Sequence, residues 1–249
     1  MNPVELKYSP AEVVKRLRRV SHEARTGIAN FNQGNFEQIS PQDIRRLFEL
    51  YDRFFLDNYF DKTQSGRIFF DLSMRMTNAG GKITIRKNSD GYTITLSAFL
   101  LFKTFKRDKR DITVNGRICK DRLEAVMRIL EHEIVHLIEL ITYGESRCKQ
   151  PRFQDLAYRL FLHTDTSHQL VTQREAACRD FHLHIGDTVE FDFQGDTCQG
   201  VITGIRKRAT VMILDKQGDY RDARGNKYKK FYVPLQLLRQ VKMVTEKQS

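Results

Sequence analysis

Between Asp121 and Tyr143 the chain reads DRLEAVMRILEHEIVHLIELITY. Leu123, Val126, Met127, Leu130, Ile134, Leu137, Ile138 and Ile141 recur there at three- and four-residue steps, which draws one continuous apolar stripe along an α-helix. Asp121 followed by Glu124 predicts its start, and Gly144 its stop. The same period predicts a helix from Pro10 to about Asn30, capped by Ser9, with Val13, Val14, Leu17, Val20, Ala24 and Ile28 on its apolar face. A second helix opens at Ser40-Pro41 and ends near Phe60, carrying Ile44, Leu47, Tyr51, Phe54, Phe55 and Tyr59. Ser97 to Phe105 and Arg152 to Leu162 complete the helical set.

Elsewhere short runs rich in Ile, Phe and Thr replace the helical period. Arg67 to Ser73, Lys82 to Arg86 and Tyr92 to Leu96 predict strands, the last two joined by a turn at Asn88-Ser89-Asp90-Gly91. A small antiparallel sheet is expected, with an edge along which an extended peptide can hydrogen-bond. From His184 the runs shorten again: Val189, Phe191 and Phe193, then Gly200 to Ile205, Thr210 to Leu214 and Lys229 to Val233, separated by turn residues. Such spacing predicts a small β-barrel of SH3-like type. The expected architecture is α+β: an N-terminal basic helix and linker over 1–39, a helix-and-sheet domain over 40–182 and the barrel over 183–249.

Composition narrows the class. A chain of 249 residues with 40% hydrophobic content can build a real core. No stretch approaches the ~20 apolar residues of a membrane span, and the start lacks the apolar run of a secretory signal, so a soluble cytoplasmic protein with no membrane partner is expected. Cys119, Cys148, Cys178 and Cys198 are widely spaced, which predicts reduced thiols rather than a disulfide framework or zinc ribbon. A formal charge of +11 and a pI near 9.5 point to a polyanionic partner, nucleic acid first. Lys15, Arg16, Arg18, Arg19 and Arg25 concentrate that charge on the first helix, and Lys103, Lys106, Arg107, Lys109 and Arg110 form a second cluster. In the C-terminal module Tyr220, Tyr228, Phe231 and Tyr232 are interleaved with bases such as Arg221, Lys229 and Lys230, which suits the backbone and bases of a nucleic acid.

The candidate chemistry sits on the long helix as His132-Glu133-x-x-His136. Two imidazoles one turn apart can hold one metal ion, Zn²⁺ above all, through neutral nitrogens. Glu133 leaves the helix in a different direction and is placed to take a proton from water that the metal has acidified. A third donor must come from beyond Gly144. Cys148, His163 and His168 are the candidates: Cys148 follows the helix after a short turn, whereas the two histidines lie past the next helix.

The chain resembles the SprT-like zinc metallopeptidases over roughly Ser40 to Thr172, through LFELYDRFFLDNYF, FFDLSMRMTNAGG, KITIRKNSDGYTITLS, LEHEIVHLIEL and CKQPRFQDLAYRLF. The resemblance implies a zincin-like domain, a zinc-dependent endopeptidase acting on protein substrates near nucleic acid, His132 and His136 as ligands, and Glu133 as the base. Family members carry a third zinc histidine where this chain departs from the pattern, and Cys148 stands within a residue of that place. Cys148 is therefore expected as the third ligand, and a thiolate there makes the bound water less acidic than an imidazole would. His163 and His168 are left as supporting groups or as a donor to the oxyanion, with Asp165 orienting one of them. No zinc ribbon follows, and the barrel takes its place.

Overall fold

The structure, a computed structural model, describes residues 2–86, 91–106 and 110–241. Residues 88–90 of the expected turn, and Arg107 and Lys109 of the second basic cluster, lie outside the described residues. The chain divides into two compact units, Met1–Leu170 and Val171–Ser249.

In chain order the first unit consists of α1 (Pro10–Gly27), α2 (Pro41–Phe55), α3 (Tyr59–Gln64), β1 (Ile68–Ser73), β2 (Gly81–Ile85), β3 (Tyr92–Ser97), α4 (Ala98–Lys103), β4 (Ile112–Val114), β5 (Arg117–Cys119), α5 (Arg122–Tyr143) and α6 (Pro151–Phe161). Ser9 and Ser40 close capping boxes with Glu12 and Asp43, each ahead of a proline in the first turn, so α1 and α2 start where two orphan backbone donors are satisfied at once. The single helix expected to end near Phe60 is broken instead. Asp57 and Asn58 adopt left-handed backbone, and the Asp52 carboxylate accepts the Phe60 and Asp61 amides at 3.0 and 2.9 Å, which starts α3 afresh.

The expected antiparallel sheet is in fact mixed. Its order is β1-β3-β2, with β1 and β3 parallel and β2 antiparallel to β3. Burial explains the order: the inner half of β3, through Ile94, Thr95, Leu96 and Ser97, is buried, so it takes the centre, whereas β2 alternates between half-buried and exposed and takes an edge. That edge strand packs against α5.

The stretch before α5 is a hairpin rather than a plain lead-in. Asn115 and Gly116 both take positive φ, as a two-residue turn between β4 and β5 demands, and the Asn115 side chain donates to the Arg128 carbonyl at 2.7 Å, which ties the hairpin to α5. Leu123, Val126, Met127, Leu130, Ile134, Leu137 and Ile138 of α5 are all essentially fully buried in the middle of the core. The α1 face of Val13, Leu17, Val20 and Ala24 belongs to that same core, so the basic helix is an integral part of the first unit. Part of its charge is spent on packing: Arg16 donates to the Phe54 carbonyl and stacks over Tyr8 at 4.2 Å, and Arg19 stacks over Phe54 at 4.3 Å.

The second unit contains α7 (Gln173–Phe181), which the sequence reading did not anticipate, followed by β6 (Thr188–Phe193), β7 (Asp196–Ile205), β8 (Ala209–Leu214), β9 (Tyr220–Arg221), β10 (Lys227–Val233) and β11 (Arg239–Gln240). Pairing runs antiparallel in the order β11-β6-β7-β8-β10-β9. No pairing joins β11 to β9 among the described residues, so the unit is a six-stranded sheet and not a closed barrel. Alternate side chains Val189, Phe191, Ile202, Val211 and Val233 make its core with Ala177 of α7 and Leu183. Among the described residues no helix of either unit is long and apolar enough to cross a membrane.

Candidate metal centre

Asp121 caps α5 by accepting the Glu124 amide at 2.9 Å, and Gly144, with φ of 75°, ends it. On the flank of the buried stripe His132 and His136 turn their Nε2 atoms toward each other, 3.1 Å apart. Phe153, fully buried on α6, packs against both rings at 4.8 and 4.4 Å between centroids and holds them from the side. The loop between α5 and α6 then brings in Cys148: the ligand atoms of His132, His136 and Cys148 lie within 4.8 Å of one another. These three side chains could hold a metal ion.

The hydrogen bonds around His136 fix the protonation that a metal would need of that ring, whereas His132 Nδ1 is buried without a hydrogen-bond partner. Ser146 Oγ donates its only proton to Glu139 Oε2 at 2.5 Å, because a carboxylate can only accept. It must then accept from His136 Nδ1 at 2.7 Å, so the proton of that ring is on Nδ1 and the Nε2 lone pair faces His132 and Cys148. Glu139 is fully buried and is itself held by Arg152 Nε at 2.7 Å, with the guanidinium stacked on Tyr143. Burial drives both histidines toward the neutral form, His136 down to about 4 and His132, helped by the neighbouring imidazoles, down to about 3. Two neutral imidazoles with facing nitrogens suit a shared cation. Nitrogens bound to one tetrahedral zinc at ~2.0–2.1 Å stand about 3.3 Å apart, close to the observed separation.

Glu133 points elsewhere, toward β2. Gly81 makes that possible, since a Cβ there would come within 2.5 Å of Glu133 Oε1. Glu133 is only 3% exposed, its Oε2 has no hydrogen-bond partner, and burial pushes its carboxyl up to about 8. A buried carboxyl oxygen without a donor is costly.

The two other sequence candidates stand apart from the group. His163 is buried against Glu131, Nε2 to Oε2 at 2.7 Å, in a cluster where the same carboxylate accepts from Tyr51 at 2.5 Å and pairs with Arg128 at 2.9 Å. It braces α5 from the core side. His168 has both nitrogens engaged by backbone: Nε2 lies 3.2 Å from the Asn78 carbonyl, and Nδ1 accepts the Leu170 amide at 3.3 Å. Asp165 bonds Ser167 and the Thr166 amide, and so orients neither histidine. Sequence reasoning missed Ser146, Glu139, Arg152 and Phe153, whose importance lies in what they touch.

The Ser146 bond has a measurable consequence. Ser146→Ala frees His136 Nδ1 and leaves Glu139 one donor short, so metal affinity is expected to fall by roughly 10- to 100-fold, as for other groups that orient a ligand. Competition with a chromophoric chelator measures it, and unchanged affinity would remove Ser146 from the site.

A family model described as SprT-like family matches residues 44–168, which span the aromatic helix, the three-stranded sheet, the His-Glu-x-x-His helix and the loop after it. No curated protein and no solved structure matches the chain.

Proposed function

Because the chain belongs to the SprT-like family, we propose that it is a zinc-dependent endopeptidase acting on protein substrates. The observation that carries this reading is the donor count: His132, His136 and Cys148 converge as three ligands, the number of protein ligands typical of an open catalytic zinc site, whereas structural sites take four. His163 would have been the fourth donor of a closed site, and it is spoken for by Glu131. An ion held by the three supplies Lewis acidity toward water and toward the scissile carbonyl. Glu133 takes the proton of the attacking water and returns it to the leaving amine. The edge of β2, which begins at the glycine lying on Glu133 and pairs with no further strand among the described residues, offers a row of backbone groups along which a peptide can lie as an added strand.

The finer parts of the proposal are a cytoplasmic location and a substrate bound to nucleic acid. The nucleic-acid part is supported by the family resemblance and by the charge of +11. For the second unit we keep the SH3-like reading as a proposal, since a six-stranded antiparallel order is compatible with a curled sheet.

The decisive experiment is cleavage of an unfolded protein before metal removal, after it, and after restoration with zinc. Loss and recovery in step with zinc content supports the reading. Cleavage that continues at the original rate in protein verified as metal-free would sink it.

A further inference from the structure

The first unit has a second concave surface away from the metal ligands. A cleft of about 550 Å³ lies between α1, β5 and the first half of α5, lined among others by Arg18, Arg25, Arg117, Lys120, Arg128 and Glu124. A neighbouring cleft of about 420 Å³ shares Ile118 and Lys120 with it and adds Lys106, Arg110 and one acidic residue, Asp111, so the two run together along β5.

Their charges are not equivalent. Arg25 is neutralised by Asp121 at 2.7 Å and Arg128 by Glu131 at 2.9 Å, and the Glu124 carboxylate is occupied by the Lys120 amide at 2.8 Å. Arg18, Arg117 and Lys120 have no carboxylate partner among the described residues, although α1 and α5 carry acidic groups within reach of other bases. Folding has gathered three unneutralised cations from α1 and the β5 segment around one groove. Ile118, 60% exposed, follows Arg117 on β5 and gives the groove an exposed apolar side chain.

We propose that this double cleft binds single-stranded nucleic acid, with Arg18, Arg117 and Lys120 on successive phosphates and Ile118 against a sugar or base. Arginine forks and a lysine aligned along a concave track match a phosphodiester backbone, and one exposed apolar side chain suits an unpaired base. An exposed apolar side chain beside the cations favours a flexible strand, whose bases are unpaired, over a duplex, whose bases are stacked inside. The proposal rests on the nucleic-acid part of the reading above and is independent of the peptidase part.

The test is fluorescence anisotropy of a labelled oligothymidylate, titrated with salt, for the whole chain and for Arg18→Glu, Arg117→Glu and Lys120→Glu, singly and together. A control triple variant, Arg206→Glu/Lys207→Glu/Arg208→Glu, reverses charge in the second unit. Each cleft reversal is expected to weaken binding by about three- to tenfold and to flatten the salt slope by about 0.7. The triple cleft variant should lose about 100-fold or more, and the control little. Glutamine replacements at the three positions, expected to act in the same direction with smaller effect, serve wherever a reversal lowers the melting temperature.

Wild-type affinity in the triple cleft variant, with binding lost in the control, would overturn the cleft assignment and leave the nucleic-acid reading standing. A duplex of equal length, or polyglutamate, bound as tightly as the single strand would also overturn it. No binding to any nucleic acid at low salt would remove both.

Discussion

Glu133→Gln is expected to leave metal content and folding intact and to reduce peptide cleavage by about 10²- to 10⁴-fold, the range for loss of a positioned general base. The substitution is almost isosteric, and it replaces a carboxyl that burial already opposes as an anion, so the packing of Gly81 against it is preserved. His132 and His136 leave α5 on another bearing and keep their mutual geometry, so the ligand set is untouched. What is lost is an acceptor for the proton of the attacking water, since an amide cannot take it. Metal analysis, a melting curve and a cleavage assay on the same preparation check all three parts. Cleavage at the wild-type rate would reject Glu133 as the base, and loss of metal would place it among the ligands.

The second large effect concerns the third ligand. Cys148→Ser is expected to cost more than the roughly 100-fold upper range of an orienting contact, because it removes a donor to the ion itself. Cys148→His is expected to retain metal, since imidazole is an accepted partner at such sites and the loop already delivers this position to the two histidines. His163→Ala and His168→Ala should both keep stoichiometric metal. His163 is held in the core through its Nε2 contact with Glu131, and the nitrogens of His168 are held by backbone groups. Their stability should separate them: His163→Ala leaves a buried carboxylate short of a partner, which typically costs on the order of 1–3 kcal/mol, whereas the partly exposed His168 is buffered by solvent. Stoichiometric metal in Cys148→Ser together with loss in His168→Ala would exchange their roles.

How far the site could be read in advance depended on how local each feature is. The four-residue spacing of His132 and His136 and the stripe beneath them are properties of one helix, so periodicity alone put both rings on one flank. From the residues alone Cys148 was one of three candidates, because no local rule says which side chain a loop returns to a helix, and it was the family resemblance that singled it out. Packing of Phe153 on both rings and the Arg152-Glu139-Ser146 chain make that choice. Two elements were signalled and overlooked. Asn115-Gly116 is a hairpin turn signature, and Thr172 ahead of Glu175 is a helix start, here with the Thr172 hydroxyl accepting the Glu175 amide at 3.3 Å.

By itself the sequence determined α1, α4, α5, α6 and the three strands of the mixed sheet to within a few residues, the two imidazoles on one helix flank and the surplus of positive charge. Each follows from side-chain period, capping or composition within a short window. Only the tertiary structure decided the mixed strand order, which of the three candidate donors comes to lie beside His132 and His136, the retirement of His163 into the core and which arginines remain unneutralised. Those outcomes depend on groups far apart in the chain competing for burial and for hydrogen-bond partners, and that competition is settled by the whole fold at once.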